Sequence, residues 1–342
     1  MADAPDAEDR LARRRSGGAA GLLAVSGLFA AWLGWHIGGP TSVRDFDDTV
    51  TALSAMAASV ACARAASGQL GRLRRFWLLL AAALAAWTLA EVIWEVYDVV
   101  LRVPVPVPSW ADVGYLGALP LAAAALLSHP ASHRGGQRKA RAALDGVVLA
   151  TALLFLSWSF VLGPLWRHTD LTSLGGVVAV AYPFGDVVML FLVVLVVRSM
   201  RPGGRFELWC VLGGIVAMAV ADSTYTYLVE RGSYSTGNMV DVGWVVGYLA
   251  IGLGAFGSRA AQVAEVAPSP AEGAPLISLV LPFVPVLAAL VALAVKVELG
   301  QELLVSDWVI ALLLTLSVLA RQALFLLEGN LASGPVEPVP NG

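Results

Sequence analysis

Acidic side chains stand inside apolar stretches at two matched places in this chain. The first stretch, Trp87-Thr-Leu-Ala-Glu91-Val-Ile-Trp94, is followed by a short loop and Trp110-Ala-Asp112-Val-Gly114-Tyr115. The second, Met218-Ala-Val-Ala-Asp222-Ser-Thr-Tyr225, is followed by Val240-Asp241-Val-Gly243-Trp244. A charged acid at the centre of a membrane helix costs at least ~2.5 kcal/mol. Two acids in matched places therefore answer a shared architectural or functional demand. Glu91, Trp94, Glu95 and Asp98 fall at i, i+3, i+4 and i+7, one helical face. Asp222 and Tyr225 repeat the start of that pattern. Two chemistries fit. In one, acids and aromatic rings line a cleft that binds a small polar or cationic molecule. In the other, protonated acids hydrogen-bond across helices and hold their register.

The remaining acids divide between the same alternatives. Ser109-Trp-Ala-Asp112 has the spacing of a capping box, and Asn238-Met-Val-Asp241 offers a cap residue with an acid three positions on. Ser109, Asp112, Asn238 and Asp241 are thus helix-cap candidates, and an acid there also suits the helix dipole. Asp186 follows Tyr182-Pro183; the proline frees a carbonyl in the preceding turn, and an acid beside a kink can line a cavity. Glu95 and Asp98 approach the water interface. The histidines give no metal-site spacing, since Pro130 separates His129 from His133. No nucleophile, base or metal set converges, so no enzyme and no cofactor is expected.

The elements that must position these groups are membrane helices. The chain is 58% hydrophobic and 14% charged, with mean hydropathy +0.75. An apolar run of about 20 residues crosses a ~30 Å hydrocarbon core as a helix. Ten runs qualify, at about 19–37, 48–66, 76–100, 112–128, 143–163, 177–197, 208–229, 240–257, 277–296 and 307–327. The expected fold is therefore an all-α integral membrane protein of about ten transmembrane helices. Helices 3–4 and 7–8 are expected as a parallel internal repeat, related by an axis along the membrane normal.

Basic residues set the expected orientation. With the N-terminus inside, Arg10, Arg13, Arg14, Arg15, Arg64, Arg72, Arg74 and Arg75 lie on the cytoplasmic side, as do the clusters around residues 134–141 and 198–205, Arg259 and Arg321. Outside remain Arg44, Arg102, Arg167, Arg231 and Lys296. This asymmetry follows the positive-inside rule and places both termini in the cytoplasm. The net charge of −3 gives no surface for nucleic acid. The expected organisation is a disordered tail at 1–16, an eight-helix membrane domain at 17–257, a cytoplasmic Ala/Pro/Glu linker at 258–276, a final helix pair at 277–328 and a disordered tail at 329–342. Cys62 and Cys210 fall at inner helix ends, where thiols stay reduced.

Several motifs carry a family resemblance: Trp94-Glu-Val-Tyr97, Pro108-Ser-Trp-Ala-Asp-Val-Gly-Tyr115, Ala181-Tyr-Pro-Phe-Gly-Asp186, Ala221-Asp222, Asp241-Val-Gly-Trp-Val-Val-Gly-Tyr248 and the closing Val318–Glu328. Together they resemble the N-terminal multi-pass membrane sensor module of actinobacterial GGDEF/EAL proteins of cyclic-di-GMP signalling. The resemblance implies a sensor or scaffold in the cell membrane. Such a module detects an outer-side or membrane-borne signal and passes it to a cytoplasmic signalling enzyme or to a second copy of the chain, with lipid around it. No Gly-Gly-Asp-Glu-Phe or Glu-Ala-Leu signature occurs, so the catalytic domains are missing from this sequence, whether it stands alone or is a fragment. The competing expectation, from the repeats and buried acids, is a proton- or cation-coupled small-molecule transporter.

Overall fold

A computed structural model describes residues 4–130, 139–168, 170–199, 206–263, 284–298, 300 and 303–332. Among the described residues 86% are helical, and none forms a strand. The helices are α1 (Ala4–Gly34), α2 (Gly39–Ala66), α3 (Gly71–Glu95), α4 (Trp110–Ser128), α5 (Lys139–Ser157), α6 (Gly163–His168), α7 (Leu174–Ser199), α8 (Phe206–Glu230), α9 (Asp241–Val263), α10 (Val284–Glu298) and α11 (Val305–Ala332). Single π-helical turns follow α3 at Val96–Val100 and α5 at Trp158–Leu162. Among the described residues, nine helical spans are long and apolar enough to cross a membrane. The run expected at 277–296 corresponds to α10, of which 15 residues are described; 277–283 lie outside the described residues.

The ends of several helices differ from expectation. α1 starts at Ala4, so residues 4–16, expected as a disordered tail, are helical. That segment is rich in Ala and Arg, which propagate a helix well, and it runs straight into the apolar stretch. α9 continues to Val263, beyond the linker start expected at 258; residues 264–276 lie outside the described residues. α11 passes through Gly329 to Ala332, because one glycine costs a helix only about 1 kcal/mol.

The chain divides into two compact units, Met1–Arg134 with Phe160–Pro275, and Gly135–Ser159 with Leu276–Gly342. This corrects the expected split after 257: α5 groups with the final helix pair. The sequence separates α5 from that pair by more than a hundred residues, and only side-chain pairing joins them.

In the first unit, large side chains of α3 meet small ones on its neighbours. Trp77, Leu80 and Leu84 recur at helical spacing and are fully buried. They share a core with Ala55, Ala58 and Cys62 of α2 and with Ala118, Ala122 and Ala125 of α4. Lipid is as apolar as leucine, so close van der Waals packing drives such contacts, and small residues permit it. On α9, Gly247 lies against α8: an added Cβ would stand 3.0 Å from Gly214 O. The Gly243/Gly247 pair is therefore spent on packing within the chain.

The second unit packs Val148, Ala152 and Phe155 of α5 against Ala289 and Ala292 of α10 and Ile310 and Leu314 of α11. Two ion pairs sit within it. Lys296 Nζ lies 3.0 Å from Asp307 Oδ1, and Arg321 pairs with Asp145. All four side chains are buried. Lys296 and Arg321 were expected near the helix ends as orientation signals. They instead neutralise buried acids, since a lone buried charge costs several kcal/mol.

Candidate functional site

Within the first unit, helices α2, α3, α4, α7, α8 and α9 surround a chamber of about 270 Å³ that reaches the loops 101–109 and 231–240. Its construction begins with two glycines. Gly114 sits so close to α3 that an added Cβ would lie 2.7 Å from Ala86 O and 2.9 Å from Ala90 Cβ. Gly243 sits likewise against α8, where a Cβ would lie 2.8 Å from Ala221 Cβ. The next residue of each helix then reaches the acid beside that alanine. Tyr115 donates its hydroxyl to Glu91 Oε2 at 3.0 Å, and Trp244 donates its indole N–H to Asp222 Oδ1 at 2.7 Å. Glu91 also accepts the Tyr248 hydroxyl at Oε1, 3.0 Å away.

The helix-entry acids do more than cap. Asp112 accepts the backbone N–H of Ser109 at 2.6 Å, as a capping box requires, and its other oxygen accepts the Tyr182 hydroxyl at 2.5 Å. Asp241 accepts the backbone N–H of Asn238 at 2.8 Å and of Gly237 at 2.9 Å. The α-helix proper begins at Asp241, and the turn before it carries cap contacts: the Asn238 side chain accepts the Val240 N–H at 3.2 Å while Asp241 takes the Asn238 N–H. Tyr234, in the loop before α9, donates to Asp241 at 3.2 Å. Burial, with the Asp241 charge beside it, holds this phenol well above the ordinary tyrosine value, so it remains a donor.

Three further acids complete the walls. Asp47 and Asp48 of α2 line the chamber together with Asp186 of α7. They are 3%, 7% and 6% exposed. Asp47 Oδ1, Asp48 Oδ2 and Asp186 Oδ2 are buried and meet no amide, hydroxyl or cationic donor among the described residues. Instead, acids stand near acids: Asp241 lies within electrostatic reach of Asp47, Asp98 of Asp48, and Asp222 of Asp186. Glu91 lies within electrostatic reach of both Asp47 and Asp222. No Lys, Arg or His is found among the described lining residues.

The sequence-expected residues sort clearly. Glu91, Trp94, Asp112, Asp186, Asp222 and Tyr225 line the chamber. Glu95 and Asp98 do not. Glu95 accepts the Thr49 hydroxyl of α2 at 2.8 Å, and Arg44 Nε lies 3.5 Å from Asp98. Asp98 falls in the π-helical turn, whose wider winding breaks the i+7 relation to Glu91. Asp47 and Asp48 were missed because the second helix was expected to start at 48. It starts at Gly39, and Pro40 at its first turn was the available signal. Tyr182 and Tyr248 were quoted in motifs without a site role.

Comparison of this chain with protein-family models, with curated proteins and with solved structures finds no match.

Proposed function

We propose that this chain is a membrane receptor module that binds a small ligand in the acid-and-aromatic chamber and reports occupancy to a cytoplasmic partner. The observation that carries this reading is a chamber lined by the acids Asp47, Asp48, Glu91, Asp186 and Asp222 and by aromatic rings, with no basic side chain among the described lining residues. Proteins satisfy buried polar groups, and a site that gathers several acids without a base is arranged for something else to arrive. In this reading the chain crosses the cell membrane ten times, the segment 277–296 being one crossing. Both termini are cytoplasmic, as the basic residues favour, and the chamber opens outward. α3–α4 and α8–α9 form a parallel repeat, supported by the matched contacts of Gly114-Tyr115 and Gly243-Trp244. The resemblance to sensor modules of GGDEF/EAL proteins points to cyclic-di-GMP signalling as the output.

A second reading, a proton-coupled transporter, draws on the carboxyl pairs, which can take up and release protons. Reconstitution separates the two. Purified protein in proteoliposomes with an imposed pH gradient is expected to move no organic solute, while its expression changes a cytoplasmic cyclic-di-GMP reporter. Solute accumulation driven by the gradient, with a silent reporter, would replace the receptor with the carrier.

A further inference from the structure

We infer that the ligand is a small organic ammonium ion that carries N–H donors; this rests on the receptor reading and specifies the chemical class its chamber takes. Charge decides the class first. The walls present Asp47, Asp48, Glu91, Asp186 and Asp222, and no basic side chain among the described lining residues offsets them. An anion entering there meets only repulsion. A neutral polyol supplies hydroxyl donors but no positive charge, leaving ionised acids uncompensated in a buried place. An ammonium group supplies both.

A metal ion is the other cationic candidate, and the walls argue against it. No group of three or more His, Cys, Asp or Glu side chains among the described residues could hold one. Calcium takes six to eight oxygen ligands and magnesium a near-ideal octahedron. These acids are instead distributed around the chamber, between aromatic rings. Trp87, Trp94 and Trp244 line it, as do Tyr182 and Tyr225. Indole and phenol faces attract ammonium ions through the ring quadrupole, more strongly where water is excluded, and they pack against hydrocarbon. At about 270 Å³ the chamber has room for roughly nine waters, so its guest is smaller than a typical drug-sized ligand. Asp186 is the anchor. Among the described residues its Oδ2 lacks a donor, and the acid beside it, Asp222, is already held by the Trp244 indole. An ammonium group beside Asp186 and Asp222 offsets the charge of this pair.

An ammonium group can come from a free amine or from a lipid headgroup, so the test has two arms. The full chain is placed in phosphatidylglycerol nanodiscs, whose headgroup has no ammonium, and tryptophan fluorescence is followed during titration. Phenethylamine and butylamine are compared with 2-phenylethanol and butan-1-ol, which keep shape and lose charge, and with butyrate. Each amine is expected to bind at least tenfold more tightly than its alcohol, and butyrate not at all. Asp186→Asn, and independently Asp47→Asn in case the first variant is unstable, are expected to remove most of that preference. In phosphatidylethanolamine nanodiscs an unchanged amine affinity assigns the site to free amines; a drop assigns it to the headgroup. Equal binding of alcohol and amine, or tighter binding of butyrate, overturns the ammonium assignment and leaves a ligand-binding chamber standing. No binding by any probe in either nanodisc overturns both.

Discussion

Trp244 donates its indole N–H to Asp222 at 2.7 Å, and both side chains face the chamber. Asp222 is thus held by a neighbouring helix, and Asp186 lines the same chamber. Trp244→Phe keeps a ring against Tyr225, whose centroid lies 5.6 Å away, but removes the donor. Loss of one partner of a buried hydrogen bond costs about 1–3 kcal/mol. Thermal unfolding in detergent should show that loss. In a double-mutant cycle with Asp222→Ala, which removes the acceptor, the two changes should be clearly non-additive; simple additivity would mean that the contact carries no energy.

Gly114 and Gly243 bring the donor helices close enough for Tyr115 and Trp244 to reach their acids. Gly114→Ala and Gly243→Ala each force a Cβ within 3 Å of the facing helix, and overpacking of this kind costs about 1–3 kcal/mol. Gly117→Ala meets nothing within 4 Å and should instead gain up to about 1 kcal/mol from helix propensity. Melting temperatures of the three variants should fall, fall and hold or rise.

Lys296 and Asp307 are both buried and lie 3.0 Å apart in the second unit. Lys296→Met leaves Asp307 charged and alone, at a cost of about 3–5 kcal/mol. Asp307→Asn keeps an oxygen for the Leu304 N–H, which Asp307 now accepts at 2.8 Å. The double variant Lys296→Met/Asp307→Asn is therefore expected to recover much of the stability lost by Lys296→Met alone. A double variant no more stable than the single one would show that the pair is not the source of the effect.

Orientation is open to a direct check. In a background of Cys62→Ala and Cys210→Ala, cysteine placed at Asp170 or Ser235 is expected to react with an impermeant thiol reagent added to sealed cells. Cysteine at Ser67 is expected to react only after permeabilisation. The reverse pattern would turn the protein over in the membrane and place the chamber mouth in the cytoplasm.

Much of the architecture was legible in the sequence. Long uninterrupted apolar runs admit only helices in lipid, because every backbone group must bond within its own segment. The Glu91 and Asp222 positions stood out because a charge inside such a run is costly, and the Ser109–Asp112 spacing announced its cap. Those are local properties, set by residues a few positions apart on one helix.

The chamber itself was settled by tertiary structure. Periodicity tells which residues share a face and says nothing about which helix lies opposite. Tyr248 reaches Glu91 across 157 residues of chain, and Gly237 reaches Asp47 across 190. Asp47 and Asp48 join the site because α2 starts earlier than its apolar run. Glu95 and Asp98 leave it because α2 packs against their side and a π-helical turn shifts the winding. Asp145, an unexplained acid in the sequence, gains Arg321 from a helix 176 residues away. The cost of a buried charge is visible in a sequence; the partner that offsets it is chosen by packing, which the linear order of residues does not contain.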